Sequence, residues 1–257
     1  MSDIPQNMLY LHDGEEELRR KALALVRAEA AMQAHLAITE CAMNLLDVFV
    51  RLQVEDTDDG RAIQHLAIRV FNGFASSWKL MASGYFQKAG LIQRDLVETI
   101  YLVNYFHIHF DKIAAWRVAD RKQLLNEFGP GRIRKALDAH SGKGKSKREA
   151  IYQKFSMIVA HPSKIGFDML RPRGGDGAVI GPFMEASALK ALLEELGMLA
   201  PQAGMAFFMF MDETAPSARE AIHSFLTASM RYCVTYLGMH YTEEDIAEVD
   251  RLFGLDA

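Results

Sequence analysis

The sequence predicts an all-α fold, a multi-helix bundle, and three observations carry the prediction. Apolar residues recur at steps of three, four and seven along most of the chain, the spacing of one helix face. Only 7 of the 257 residues are proline, which leaves room for long helices. The 14 methionines add adaptable apolar volume for helix packing. Half the residues are hydrophobic and 24% are charged, so wholesale disorder is excluded. A chain of this length buries roughly 70–75% of its unfolded surface, so its core needs no staples. The net charge of −4 argues against a protein that coats nucleic acid over its whole surface.

A single all-helical domain over 1–257 is expected, with 1–14 a flexible N-terminal segment. That segment is polar, holds Asp3, Pro5 and Asp13, and lacks the apolar stretch of a signal peptide. The first helix is predicted over 15–53, through Leu18, Ala22, Leu25, Met32, Leu36, Met43, Leu46 and Val50. Its opening acids Glu15, Glu16 and Glu17 suit the positive end of a helix dipole. Residues 54–60 read as a connection, and helical spacing resumes through Ile63, Leu66, Val70, Phe74, Trp78 and Met81. Gly84 and Gly90 punctuate the chain before a strongly apolar helix over 91–116.

Shorter helices are predicted over 120–128, 131–139 and 147–160, the last stopped by His161-Pro162 because a residue before proline avoids helical geometry. Between 167 and 183 the pattern changes. Gly174-Gly175-Asp176-Gly177 flanked by Met169-Leu170 and Val179-Ile180 reads as a small β-hairpin or a loop insert. Helicity returns from Ser187, with Pro201 starting or kinking one helix and Pro216 near the start of the next. Thr242, followed by Glu243, Glu244 and Asp245, opens a final short helix as an N-cap. No apolar run reaches the roughly 20 residues of a membrane span. Cys41 and Cys233 lie far apart in apolar helical patterns, as reduced core residues and not a disulfide pair, and a cytoplasmic protein is expected.

Several motifs invite a chemical reading. Residues 139–146 end in Gly-Lys-Ser, but a phosphate loop needs glycine where Ala139 stands and a strand before it. A solvated loop is the better expectation. Glu220-x-x-His223 has the spacing of a di-iron helical bundle, yet the chain holds no second such pair. His107 and Asp111 stand four apart on one predicted helical face, with no third metal ligand beside them. Neither a metal nor a cofactor is therefore expected. Arg132, Arg134, Lys135, Lys143, Lys145, Lys147 and Arg148 form the most basic stretch, a candidate phosphate-contacting surface for RNA or DNA.

The polar content of the apolar helix over 91–116 is more informative. Arg94 needs a partner if buried, and Glu98 one turn later is the natural one. Tyr152 and Ser156 also lie one turn apart, with His161 at that helix's end. If these two helices pack together, Arg94, Glu98, Tyr152, Ser156 and His161 form one polar cluster in apolar surroundings. Such a cluster is either a structural network or a functional site.

In this pattern, Ala89 and Arg94-x-x-x-Glu98 followed by Tyr152-x-x-x-Ser156 and His161-Pro162-Ser163, the chain resembles a group of bacterial all-helical proteins. Some of these are similar to HEPN proteins, helical bundles of toxin and phage-defence systems that often act as dimeric ribonucleases. The resemblance implies an RNA-associated protein of stress or phage defence, acting as a homodimer. In HEPN ribonucleases an arginine a few residues ahead of a histidine forms the active site; here the basic residue in that place before His161 is Lys154. The resemblance implies His161 as proton-transfer residue, with Lys154 or Arg94 stabilising phosphorane charge. The alternative expectation is a non-enzymatic module that binds a second copy or a small apolar ligand, drawn from the Met- and Phe-rich stretch of Met198, Met205, Phe207, Phe208, Met209, Phe210 and Met211.

Overall fold

The computed structural model describes residues 4–52, 57–142, 147–160, 164–175 and 177–253. They form an all-α bundle, with no strand among them. The elements in order are α1 (Gln6–Ala28), α2 (Ala30–Leu52), α3 (Asp58–Ala82), α4 (Phe86–Ile108), α5 (Lys112–Val118), α6 (Arg121–Glu127) and α7 (Pro130–His140). They continue with α8 (Lys147–Phe155), a π-helical turn (Ser156–Ala160), a 3-10 helix (Ile165–Leu170), α9 (Ala186–Phe208), α10 (Pro216–Leu237) and α11 (Glu243–Leu252).

Helix α2 packs along α9 and α10, α3 packs along α4, and α4 also touches α9, α7 and α8. The core runs through all of these, with Phe49, Phe74, Phe86, Phe106, Phe207 and Phe225 fully buried. Where α9 meets α10 the backbone approaches closely. A Cβ on Gly204 would stand 2.1 Å from the Phe225 ring, so only glycine fits there.

The structure departs from the periodicity in several places. The predicted helix over 15–53 is two helices that part at Glu29, whose backbone is extended (φ −122°, ψ 115°). Helix α1 begins at Gln6, inside the segment expected to be a flexible extension. The predicted helix over 91–116 likewise divides at His109, so His107 and Asp111 do not share a helical face. Pro201 neither starts a helix nor ends one. It is buried inside α9, where it supplies no N–H to the Gly197 carbonyl one turn earlier. The hairpin alternative for residues 167–183 is not formed among the described residues. The loop alternative is: Val179 N–H donates to the Leu170 carbonyl at 2.9 Å, and Phe183 N–H to the Gly84 carbonyl. Gly84 itself has φ +85° and touches Phe183 backbone, a place no side chain fits.

Candidate functional site: a cleft floored by the Arg94 network

Arg94 projects from the middle of α4 toward α8, because Gly90 one turn earlier lets the α8 segment come close: a Cβ there would lie 2.7 Å from Val159. Its Nε donates to Ser156 Oγ at 3.0 Å and its Nη2 donates to the Tyr152 hydroxyl. The same Nη2 lies 2.8 Å from Glu98 Oε1. That contact is electrostatic: the enclosed Oε1 has the distance of a hydrogen bond without its angle. The guanidinium carbon also stands 4.9 Å from the Tyr152 ring centroid, and that of Arg134, from α7, stands 4.1 Å from it. Four of the predicted cluster residues therefore converge. Arg94 and Glu98 side chains keep 23% and 27% of their surface exposed, so the network is part-buried and not sealed.

The fifth, His161, lies outside the described residues with Pro162 and Ser163, as do Lys143 and Lys145 of the basic stretch. Lys154 goes elsewhere. It stands two positions from both Tyr152 and Ser156, about 200° round the helix, and it pairs with Glu195 of α9. Of the remaining basic residues, Arg148 pairs with Asp138 at 2.6 Å, while Arg132 and Lys135 are exposed on α7.

Glu98 and Tyr152 line a cleft of about 860 Å³ between α3, α4 and the α5–α7 segment. Its walls are largely apolar: Leu66 from α3, Leu102 from α4, Trp116 from α5, Phe128 after α6 and Ile133 from α7. Charged groups at its edges are paired among themselves. Arg117 reaches Asp58 at 2.5 Å and Asp59 at 2.6 Å, and Arg61 pairs with Asp58. These contacts hold Asp58 ionised below its usual range, hydrogen bonding from Arg61 being the largest cause. Arg69 ties α3 to α4 through Asp95.

Comparison with protein-family models, curated proteins and solved structures finds no match. The site must therefore be read from its own chemistry.

No group of three or more His, Cys, Asp or Glu among the described residues is placed to hold a metal. Glu220-x-x-His223 is absorbed by the α10–α11 contact, where His223 Nε2 meets Asp250 Oδ1 at 2.6 Å and the ring packs on Phe253. His107 sets its ring edge-on to Phe210, and His109 lies against Tyr105. The Gly-Lys-Ser loop comes after helix α7 and not after a strand, and its last four residues lie outside those described. Cys41 and Cys233 are unbridged, and burial pushes both thiols up. No helix among the described residues is long and apolar enough to cross a membrane.

Sequence reasoning missed the cleft walls. Trp116, Phe128 and Ile133 come from three short helical elements, and none carries a local signal of its own. The usable hint was an i,i+4 Arg–Glu pair inside an apolar helix, which marks where a polar group must face an opening.

Proposed function

We propose that this chain binds a small organic molecule in the α3–α4–α7 cleft, its apolar part against Leu66, Leu102, Trp116, Phe128 and Ile133 and its polar end at Glu98 and Tyr152. The observation that carries this reading is the position of Glu98 and Tyr152 beside Leu66, Leu102, Trp116, Phe128 and Ile133 on the lining of a cleft of about 860 Å³ whose remaining charged groups are paired at its edges. Ligand sites combine that size with a few convergent polar groups on apolar walls. Arg94 is the positioning residue: by holding Glu98, Tyr152 and Ser156 together it fixes the polar end before a ligand arrives.

Trp116 makes the reading testable. In a Trp78→Phe variant it is the sole tryptophan, and anilinonaphthalene sulfonate bound in the cleft accepts energy from it. Transfer that is lost in Leu102→Arg, with far-UV dichroism unchanged, supports the assignment. Absence of transfer, or transfer untouched by Leu102→Arg, removes it.

A second reading, RNA association of HEPN-like type, is supported by one observation. Arg132, Arg134 and Lys135 form no ion pair with any described residue, whereas Arg61, Arg69, Arg94, Arg117 and Arg148 all do. Filter binding of labelled RNA would show affinity that falls steeply with salt and drops in Arg132→Glu with Lys135→Glu. Cleavage abolished in His161→Ala would add the ribonuclease activity, and RNA neither bound nor cut would end this reading.

A further inference from the structure

A second hollow lies on the other flank of α4, separate in its walls from the cleft apart from Tyr101. It is a groove of about 640 Å³ where α4, α7 and the start of α8 face α9, α10 and the residues after α10. Its two walls differ in chemistry. The α9–α10 wall is apolar and rich in methionine: Met205, Leu226, Met230, Leu237 and Met239. Three of these are exposed, Met205 to 41%, Leu237 to 36% and Met239 to 43%, an apolar strip left open to solvent.

The opposite wall carries polar donors beside Tyr101, Ile108 and Leu137. His107, His140 and Arg148 line it, and no described lining residue is an aspartate or glutamate, in a chain whose net charge is −4. Arg148 is paired with Asp138, which stands outside the lining. On the α10 side of the groove lies an enclosed Ser229, whose hydroxyl has no hydrogen-bond partner among the described residues. A buried hydroxyl left unpaired costs free energy that an incoming acceptor would recover.

We propose that this groove is a binding site for a free amphipathic anion, a medium-chain carboxylate whose hydrocarbon tail lies along the methionine wall and whose oxygens face His107, His140 and Arg148. A lining with the Arg148 guanidinium, two imidazoles and no described carboxylate selects an anion over a cation, and the apolar wall selects an alkyl chain. The volume selects a small molecule over a peptide, because two turns of helix with side chains already displace about 1,000 Å³. Methionine is suited to the tail, since its unbranched thioether adapts to a flexible chain.

Calorimetric titration of the full chain with octanoate, decanoate and dodecanoate, each below its micellar concentration, tests this. Affinity should rise about fourfold for each added methylene, the fold-change for about 0.8 kcal/mol. Dodecylamine should bind at least tenfold more weakly than dodecanoate. Met205→Gln and His140→Glu, both at exposed positions, should each weaken dodecanoate about tenfold or more, while Leu124→Gln in the other cleft should leave it unchanged. No binding, equal binding of amine and acid, or loss in Leu124→Gln instead of the groove variants would overturn the proposal. So would capture by phosphatidylglycerol vesicles without binding of the monomeric acids.

Discussion

The hydroxyl of Tyr232 lies 2.8 Å from Nδ1 of His35, joining α10 to α2 beneath α9. Both residues are nearly inaccessible, His35 at 4% and Tyr232 at 5%, and Tyr236 packs against both rings. Gly197 of α9 completes the enclosure: a Cβ there would stand 2.8 Å from the Tyr232 hydroxyl and 3.1 Å from the His35 backbone. Tyr232→Phe leaves a buried imidazole nitrogen unpaired and is expected to lower stability by about 1–3 kcal/mol. Gly197→Ala forces α9 off α2 and should cost a similar amount. Urea unfolding of the two variants measures both.

The same pair predicts a pH dependence. Burial is the main cause that lowers the His35 pKa from its ordinary 6.5. Between the folded and unfolded values the unfolded chain binds the extra proton, so stability rises with pH across that window. The His35 contribution is complete above about pH 6.5 and is lost as pH falls below it. Urea midpoints at pH 7.5 and 5.5 should differ less in His35→Gln than in the unaltered chain. An unchanged difference would assign the slope to other groups.

Arg94 and Glu98 should behave as a coupled unit. Arg94→Ala strands a part-buried carboxylate together with Tyr152 and Ser156, and is expected to cost about 2–4 kcal/mol. Glu98→Ala should cost less, because Arg94 keeps its hydroxyl partners. A double-mutant cycle should return a coupling of about 0.5–3 kcal/mol. Arg94→Lys keeps the charge but loses the fork that reaches three partners, so it should fall nearer to alanine than to arginine.

Thr242 accepts from Asp245 N–H, and the Asp245 side chain answers by accepting from Thr242 N–H at 2.6 Å. Thr242→Ala removes half of this box and should weaken α11 by about 1 kcal/mol. Hydrogen exchange over Glu243–Leu252 should accelerate several-fold while α2 and α9 are unaffected.

The bundle and the Arg94 network were legible because both rest on short spacings. A step of four within α4 and another within the 147–160 segment set which side chains share a face, and two such faces sufficed to bring Arg94, Glu98, Tyr152 and Ser156 together. Breaks without punctuation were not legible. Glu29 is flanked by alanines that would continue a helix, and its extended backbone goes with long-range contacts no local pattern shows: α1 against α2 and α3, and Glu29 paired with Lys190 of α9. Pro201 departs in the opposite direction from the helix-start alternative, because it is buried inside α9 and tertiary burial outweighs its local penalty. The cleft was invisible for a different reason. Its walls at Leu66, Leu102, Trp116 and Ile133 are apolar like the core, and whether an apolar residue faces a void or a neighbour depends on how α5–α7 fold back.

The π-helical turn over Ser156–Ala160 makes this chain unusually sensitive to length. One residue beyond the α-helical repeat is accommodated there. Removing a single position would restore ordinary register and rotate α8 by about 100° relative to the chain beyond Ala160. Tyr152 could then face Arg94, or Val159 could fill the space beside Gly90, but not both. A single-codon deletion within 156–160 is thus expected to be far more damaging than any conservative substitution in the same five residues, a contrast that deletion scanning would show directly.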